Sequence, residues 1–274
     1  MTIFQAIILG IVQGFSEFLP ISSSAHLVLV PAMLNWQIPA DQIFPFDVLV
    51  QLGTLVAVII YFWKDLWKMA KAFFAGIANK KPLEDADSRL AWWIILATIP
   101  AGVIGLALDD IVEKAFKAPV LPMIFLLVTA VLMWVAETLS KQERSTDDMK
   151  WLDALLIGLG QALAIFPGIS RSGSTISTAM LRDFDRKNAG RFSFLMSIPI
   201  MLAAGLLGVK DLLEVQDLMS FLPSMVIGFI VAGVVGYLSI AWLLKFLREK
   251  SLKLFSYYCV GFAVFSAVVI YGFA

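Results

Sequence analysis

Six stretches of the chain are apolar over nearly the length of a bilayer: about 44–63, 90–108, 119–138, 192–209, 221–245 and 254–273. A helix needs roughly 20 such residues to cross the hydrocarbon. Two further segments, 3–34 and 152–181, read differently. Each is an apolar helix, then a break rich in proline, serine and glycine, then a second short apolar helix. The second arm of the first unit, about 21–34, is short for a span. Broken helices are tolerated at membrane depth only where they are buried in protein or line a cavity. Both segments are therefore predicted to be re-entrant helical hairpins. Membrane barrels are built from short alternating segments, and none is visible here. The expected fold is an all-α polytopic membrane protein, a single membrane domain over 1–274, with six transmembrane helices and two re-entrant hairpins.

The two broken segments resemble each other. At a fixed offset of 148 positions, Gly10/Gly158, Gln13/Gln161, Phe18/Phe166, Ile21/Ile169, Ser22/Ser170 and Ser24/Ser172 are identical. Chance would give roughly one or two identities over such a stretch, so an internal repeat is expected. Three spans separate the copies, and an odd number inverts the second. The expected architecture is an inverted-topology repeat, approximately 1–140 and 150–274, whose hairpin tips meet near the midplane. Phe46-Asp-Val-Leu49 and Phe192-Ser-Phe-Leu195, each opening the span after a hairpin, are a weaker echo of the same relation.

Charge orients the chain. Lys64, Lys68, Lys71, Lys80, Lys81 and Arg89 fall on the side opposite the N-terminus. So do Lys141, Arg144, Lys150, Arg182, Arg186, Lys187, Arg191, Lys245, Arg248, Lys250 and Lys253. The starting side receives Lys114, Lys117 and Lys210. By the positive-inside rule the basic side is cytoplasmic and both termini face outside. Tryptophans 63, 67, 92, 93, 134 and 151 cluster near the cytoplasmic ends, as an aromatic belt would. Net charge is zero, so no nucleic-acid partner is expected. The lone Cys259 excludes an intramolecular disulfide and a multi-cysteine metal site. No basic leader precedes the first apolar helix, so no cleavable signal is expected.

The repeated breaks hold the candidate chemistry. Pro20 and Pro167 precede clusters of hydroxyls, and a helix restarting after a break presents free N–H groups and a positive dipole end. Two such ends in one cavity, with Arg171, make an anion site. Arginine's planar fork suits phosphate oxygens. The expected ligand is a phosphate or diphosphate, contacted by Ser22, Ser24, Ser170, Ser172, Ser174 and Thr175, with Gly168 and Gly173 letting the backbone approach. Gln13 and Glu17 share a helix face, as do Ser23 and His26. A serine beside a histidine and a carboxylate can be an activated nucleophile. Equally, His26 could attack phosphorus or activate water. Gln13 and Glu17 could hold a divalent cation, Mg²⁺ or Ca²⁺, through oxygen ligands. Arg171 could instead pair structurally with Glu17.

These motifs read Gln13-Gly-Phe-Ser-Glu17, Pro20-Ile-Ser-Ser-Ser-Ala-His26 and Pro167-Gly-Ile-Ser-Arg-Ser-Gly-Ser-Thr175. In that combination the chain resembles the undecaprenyl-diphosphate phosphatases, the bacterial bacitracin-resistance family, over essentially its whole length. The resemblance implies hydrolysis of the diphosphate of a C55 polyprenyl carrier to the monophosphate, which recycles the lipid for cell-wall synthesis. It implies catalytic roles for Glu17, Ser23, His26 and Arg171. It also implies a bacterial inner-membrane location. Since the first hairpin brings Glu17, Ser23 and His26 in from outside, the cavity is expected to open on the extracytoplasmic side. Many members have Glu where this chain has Gln13, so a two-carboxylate metal site does not carry over.

The rival reading is a secondary transporter or polyprenyl-phosphate flippase, since inverted repeats with broken helices are also a transporter plan. The Glu17/Ser23/His26/Arg171 set exceeds what anion binding requires and favours an enzyme. A phosphatase using two histidines is excluded by the single His26. No P-loop is present for a nucleotide-driven pump. The choice of nucleophile between Ser23 and His26, the preferred prenyl chain length and the oligomeric state, a homodimer included, stay open at this level.

Overall fold

A computed structural model describes residues 1–108, 119–212 and 218–272, with the backbone alone at 40, 209–212 and 218. Lys114 and Lys117 lie outside the described residues, as does the side chain of Lys210. The described helices are α1 (Ile3–Ser16), α2 (Ser23–Met33), α3 (Ala40–Tyr61), α4 (Trp63–Ala78), α5 (Ala86–Ala107), α6 (Val120–Leu139), α7 (Trp151–Leu163), α8 (Arg171–Leu181), α9 (Arg186–Leu212), α10 (Leu218–Glu249) and α11 (Lys253–Tyr271). Among the described residues no strand forms, and one isolated bridge joins Arg144 to Phe184. Helices α3, α5, α6, α9, α10 and α11 are long and apolar enough to cross a membrane. They coincide with the six expected spans to within a few residues, apart from the extra turns of α9 and α10. The chain is a multi-pass membrane protein.

Helix α4 has no counterpart among the expected elements. It follows α3 across a one-residue break at Phe62 and packs on α5. Met69 and Gly76 are buried there, while Trp63, Trp67 and Phe74 stay exposed. Lys71 lies over the Trp67 ring at 5.2 Å. Its apolar positions are too few and too interrupted by lysines to read as a span, which is why the sequence did not separate it from a loop.

The two broken segments are helix–break–helix units. At the offset of 148, α1 and α7 start at matching positions, and α2 and α8 start and end at matching positions. Helix α1 packs on α10 and α7 on α5. The crossings are close because both carry a glycine at the contact. A Cβ at Gly10 would lie 2.9 Å from the Gly228 carbonyl, and one at Gly158 only 2.4 Å from that of Ala97. Backbones that approach this closely trade side-chain bulk for dispersion contact, the main driving force between helices in lipid. Helices α6 and α11 pack together and flank both breaks: α2 and α8 each touch α6, and α2 also touches α11.

Ion pairs fasten the ends of the second unit. Asp153, at the start of α7, is 1% exposed and receives Arg144 at 2.6 Å and Arg182 at 2.9 Å. Glu137 pairs with Arg186 and accepts the Leu252 N–H at 3.0 Å. Arg191 reaches Asp65 on α4 at 2.6 Å.

The turn at Gly168 is the most demanding piece of backbone. Its φ is +106°, and a Cβ there would sit 2.4 Å from the Pro122 carbonyl. Gly168→Ala should therefore cost about 1–3 kcal/mol of stability. It should lower the unfolding midpoint in detergent, whereas Gly261→Ala, with open space around it, should not. Equal midpoints for the two variants would contradict this account of the turn.

Candidate active site

Helix α1 ends just before Glu17, α2 begins at Ser23, and α8 begins at Arg171. These three positions converge. Ser23 Oγ donates to Glu17 Oε2 at 2.6 Å, and Arg171 Nη2 donates to Glu17 Oε1 at 2.8 Å. Gln13, one turn before Glu17, donates from Nε2 to Oε2 at 3.1 Å and reaches Thr54 Oγ1 at 3.4 Å. The first residues of two helices, one from each broken segment, thus hold both oxygens of one buried carboxylate. Glu17 is 8% exposed and the Arg171 side chain 13%. A carboxylate so buried persists only because an opposite charge and hydrogen bonds replace its water.

Serine hydroxyls form the seam between the two breaks. Ser22 caps α2 and Ser170 caps α8. The Ser22–Ser24 and Ser170–Ser172 hydroxyls are each 3.1 Å apart. Across the seam, Gly168 N–H donates to Ser24 Oγ at 3.3 Å and Ser172 Oγ donates to the Leu19 carbonyl at 3.0 Å. Thr129 of α6 donates to the Gly168 carbonyl and accepts from Ser170 N–H. Ser22 itself holds a φ of +69°, a conformation that a residue with a side chain keeps only when its surroundings enforce it.

The expected contact residues divide into two groups. Ser23, Ser24 and Arg171 keep partial exposure. Ser22, Gly168, Ser170, Ser172, Gly173, Ser174 and Thr175 are buried. Their polar groups are engaged: Gly173 N–H in the cap to Ser170, Ser174 and Thr175 back to the Arg171 carbonyl, and Thr175 also to Ser193 Oγ at 2.6 Å. The first turns of α2 and α8 leave the N–H groups of Ser23, Ser24, Arg171 and Ser172 without intrahelical acceptors, beside the exposed edge of Arg171.

His26 lies outside the Glu17 network. Its Nδ1 is 2.8 Å from the Ser22 carbonyl and its Nε2 is 2.8 Å from the Tyr258 hydroxyl. The ring stacks on Phe262 with centroids 4.1 Å apart. Of the histidine and the carboxylate expected near Ser23, the one it bonds is the carboxylate, because the break swings Glu17 back over the start of α2. Thr54, Thr129, Ser193, Tyr258 and Phe262 were not anticipated as part of the site. Only Ser193 had a signal, its place in the Phe192–Leu195 echo; the others are unremarkable residues in apolar helices.

A divalent cation at Gln13 and Glu17 does not fit this arrangement. Both Glu17 oxygens are committed to donors, one of them a guanidinium, and Gln13 presents its amide nitrogen. Among the described residues no three His, Cys, Asp or Glu side chains cluster as metal ligands. Hard cations demand several anionic or neutral oxygens, so no step below runs through a metal.

The sequence has close relatives among known proteins. A family model described as "Bacitracin resistance protein BacA" matches residues 6–265. A protein of Methanosphaera stadtmanae named undecaprenyl-diphosphatase is 42% identical over 278 residues, covering 98% of each chain. A Thermomicrobium roseum protein of the same name is 40% identical, covering 98% of this chain and 99% of its own. A third, from Geotalea daltonii, is 42% identical over 271 residues, covering 98% of this chain and 99% of its own. A match this long carries both broken segments, so the chain that joins Glu17 to Ser23 and Arg171 belongs to the BacA family of bacitracin resistance proteins.

Proposed function

We propose that the protein is an undecaprenyl-diphosphatase that removes the terminal phosphate of a C55 polyprenyl diphosphate. The observation that carries the mechanism is the shared carboxylate: Glu17 bound at once by Ser23 and Arg171. In the resting site Arg171 neutralises Glu17. An arriving diphosphate offers the guanidinium a stronger, bidentate partner. Drawing Arg171 onto the phosphate leaves the Glu17 carboxylate free to take the Ser23 proton. Ser23 then gives its proton to Glu17 as its Oγ attacks the terminal phosphorus, and the bridging P–O bond breaks to release the lipid monophosphate. Water hydrolyses the phosphoseryl ester, and Ser23 regains its proton as inorganic phosphate leaves. Arg171 and the N–H groups opening α2 and α8 stabilise the charge that builds on the transferring phosphoryl group. His26, one helical turn after Ser23, accepts the proton of the attacking water at Nε2 once the Tyr258 hydroxyl, 2.8 Å from that nitrogen in the resting site, gives up its place to the water.

The two helix–break–helix units are read as re-entrant hairpins of an inverted repeat, entering from opposite faces. The matched helix bounds and the paired hydroxyl geometries support this. So does the packing, in which α1 on α10 corresponds to α7 on α5. The lysine and arginine bias puts the basic ends in the cytoplasm. Both termini and the cavity then face the outer side of a bacterial inner membrane, where the lipid diphosphate would be met.

Three measurements test these readings. Arg171→Ala should lower kcat for phosphate release from a polyprenyl diphosphate in detergent by about 10²–10³-fold, and Arg171→Lys should restore only part of it. Ser23→Ala and Glu17→Gln should each fall to near background; near-normal turnover in either would remove the shared-carboxylate mechanism. In intact cells, a cysteine placed at Gln37 should react with an impermeant maleimide while one at Lys80 should not, and the reverse pattern would invert the assigned orientation.

A further inference from the structure

For a neutral ring, the donor and acceptor rules at His26 leave one arrangement. The Ser22 carbonyl can only accept, so the Nδ1 atom 2.8 Å away carries the proton. Nε2 is then an unprotonated acceptor, and the Tyr258 hydroxyl 2.8 Å away is the donor to it. The imidazole is also clamped by rings. Phe262 stacks on it with an interplanar angle of 6°, and Tyr258 lies at 10° with centroids 5.7 Å apart. His26 is 5% exposed whereas Tyr258 is 43% exposed.

From this geometry we propose that Tyr258 is a positioning residue for His26, fixing the neutral Nδ1–H tautomer with Nε2 as the basic nitrogen. The role rests on the phosphatase reading for its consequence in turnover but not for its existence. Helix α11 supplies it from the far end of the chain, 232 positions away, and ties the same helix to the first break: Cys259 Sγ lies 3.7 Å from the Pro20 carbonyl. A general base needs its accepting nitrogen defined before the substrate arrives, and a partner on the other nitrogen is the usual means of defining it. Here two partners act together, one on each nitrogen. Loss of the phenol leaves Nε2 without a donor, so the Ser22 carbonyl alone opposes the Nε2–H tautomer.

The protein contains one histidine, so selective ¹⁵N-histidine labelling reports His26 alone. The wild type should show the Nδ1–H tautomer, and a wild-type Nε2–H signal overturns the proposal without any variant. Tyr258→Phe should introduce an Nε2–H population and lower kcat by roughly 10-fold, a fraction of what general base catalysis contributes, with KM changed less than about 2-fold. The neighbouring Tyr257→Phe, whose ring packs on Trp134 instead, should leave tautomer and kcat alone. An unchanged tautomer in Tyr258→Phe, or a changed tautomer with unchanged kcat, overturns the assignment. If the wild type released no phosphate, the enzyme reading would fall, while the tautomer measurement would still decide whether Tyr258 positions His26.

Discussion

A single buried carboxylate organises this protein. Glu17 is 8% exposed, and an unpaired charge so buried is among the costliest things a chain can carry. Its counter-charge comes from Arg171, 154 positions away. The pair cannot form unless the breaks after α1 and α7 bring their following helices tip to tip. Removing one member of such a pair strands the other in the interior, a penalty on the order of 3–5 kcal/mol. The ion pair is therefore a fastening between the two broken segments and, in the proposed mechanism, the poised state of the chemistry. A ligand richer in negative oxygens than a carboxylate competes for the same guanidinium.

The related units share a scaffold but not the chemistry. At the offset that relates them, Arg171 corresponds to Ser23, each the first residue of its helix. Ile165 stands where Glu17 would be repeated, and Ser174 where His26 would be. One unit supplies acid, hydroxyl and imidazole, and the other supplies the cation. Two copies of the first would place two carboxylates together with nothing to neutralise them. Gln161 shows the cost of this divergence. It matches Gln13, but with Glu17 replaced at the related position by Ile165, its amide finds no protein partner although it is 2% exposed.

The serine-rich breaks do two jobs that a sequence cannot separate. Ser22 and Ser170 cap helices, and Ser24 and Ser172 stitch the seam, whereas Ser23 alone presents its hydroxyl to the carboxylate. The difference is set by φ and ψ in a turn of three residues. Residue type says only that each side chain can donate and accept.

Much of the architecture was legible in the order of residues. Hydrophobic length determines spans because every backbone polar group in lipid must bond within its own helix, and the breaks are marked by a proline standing just before a run of serines that caps the next helix, not by proline alone, which several helices carry inside them. The identities at a fixed offset pointed to paired broken segments, and the lone histidine, the glutamate and the arginine were conspicuous because ionisable groups are rare in such surroundings. What the order of residues left open was pairing. Whether Ser23 answers to His26 or to Glu17, whether Arg171 has a carboxylate beside it, and whether an ordinary tyrosine near the end of the chain governs the histidine all depend on contacts between segments far apart in sequence. Periodicity describes one helix at a time, and only packed helices decide which side chains meet.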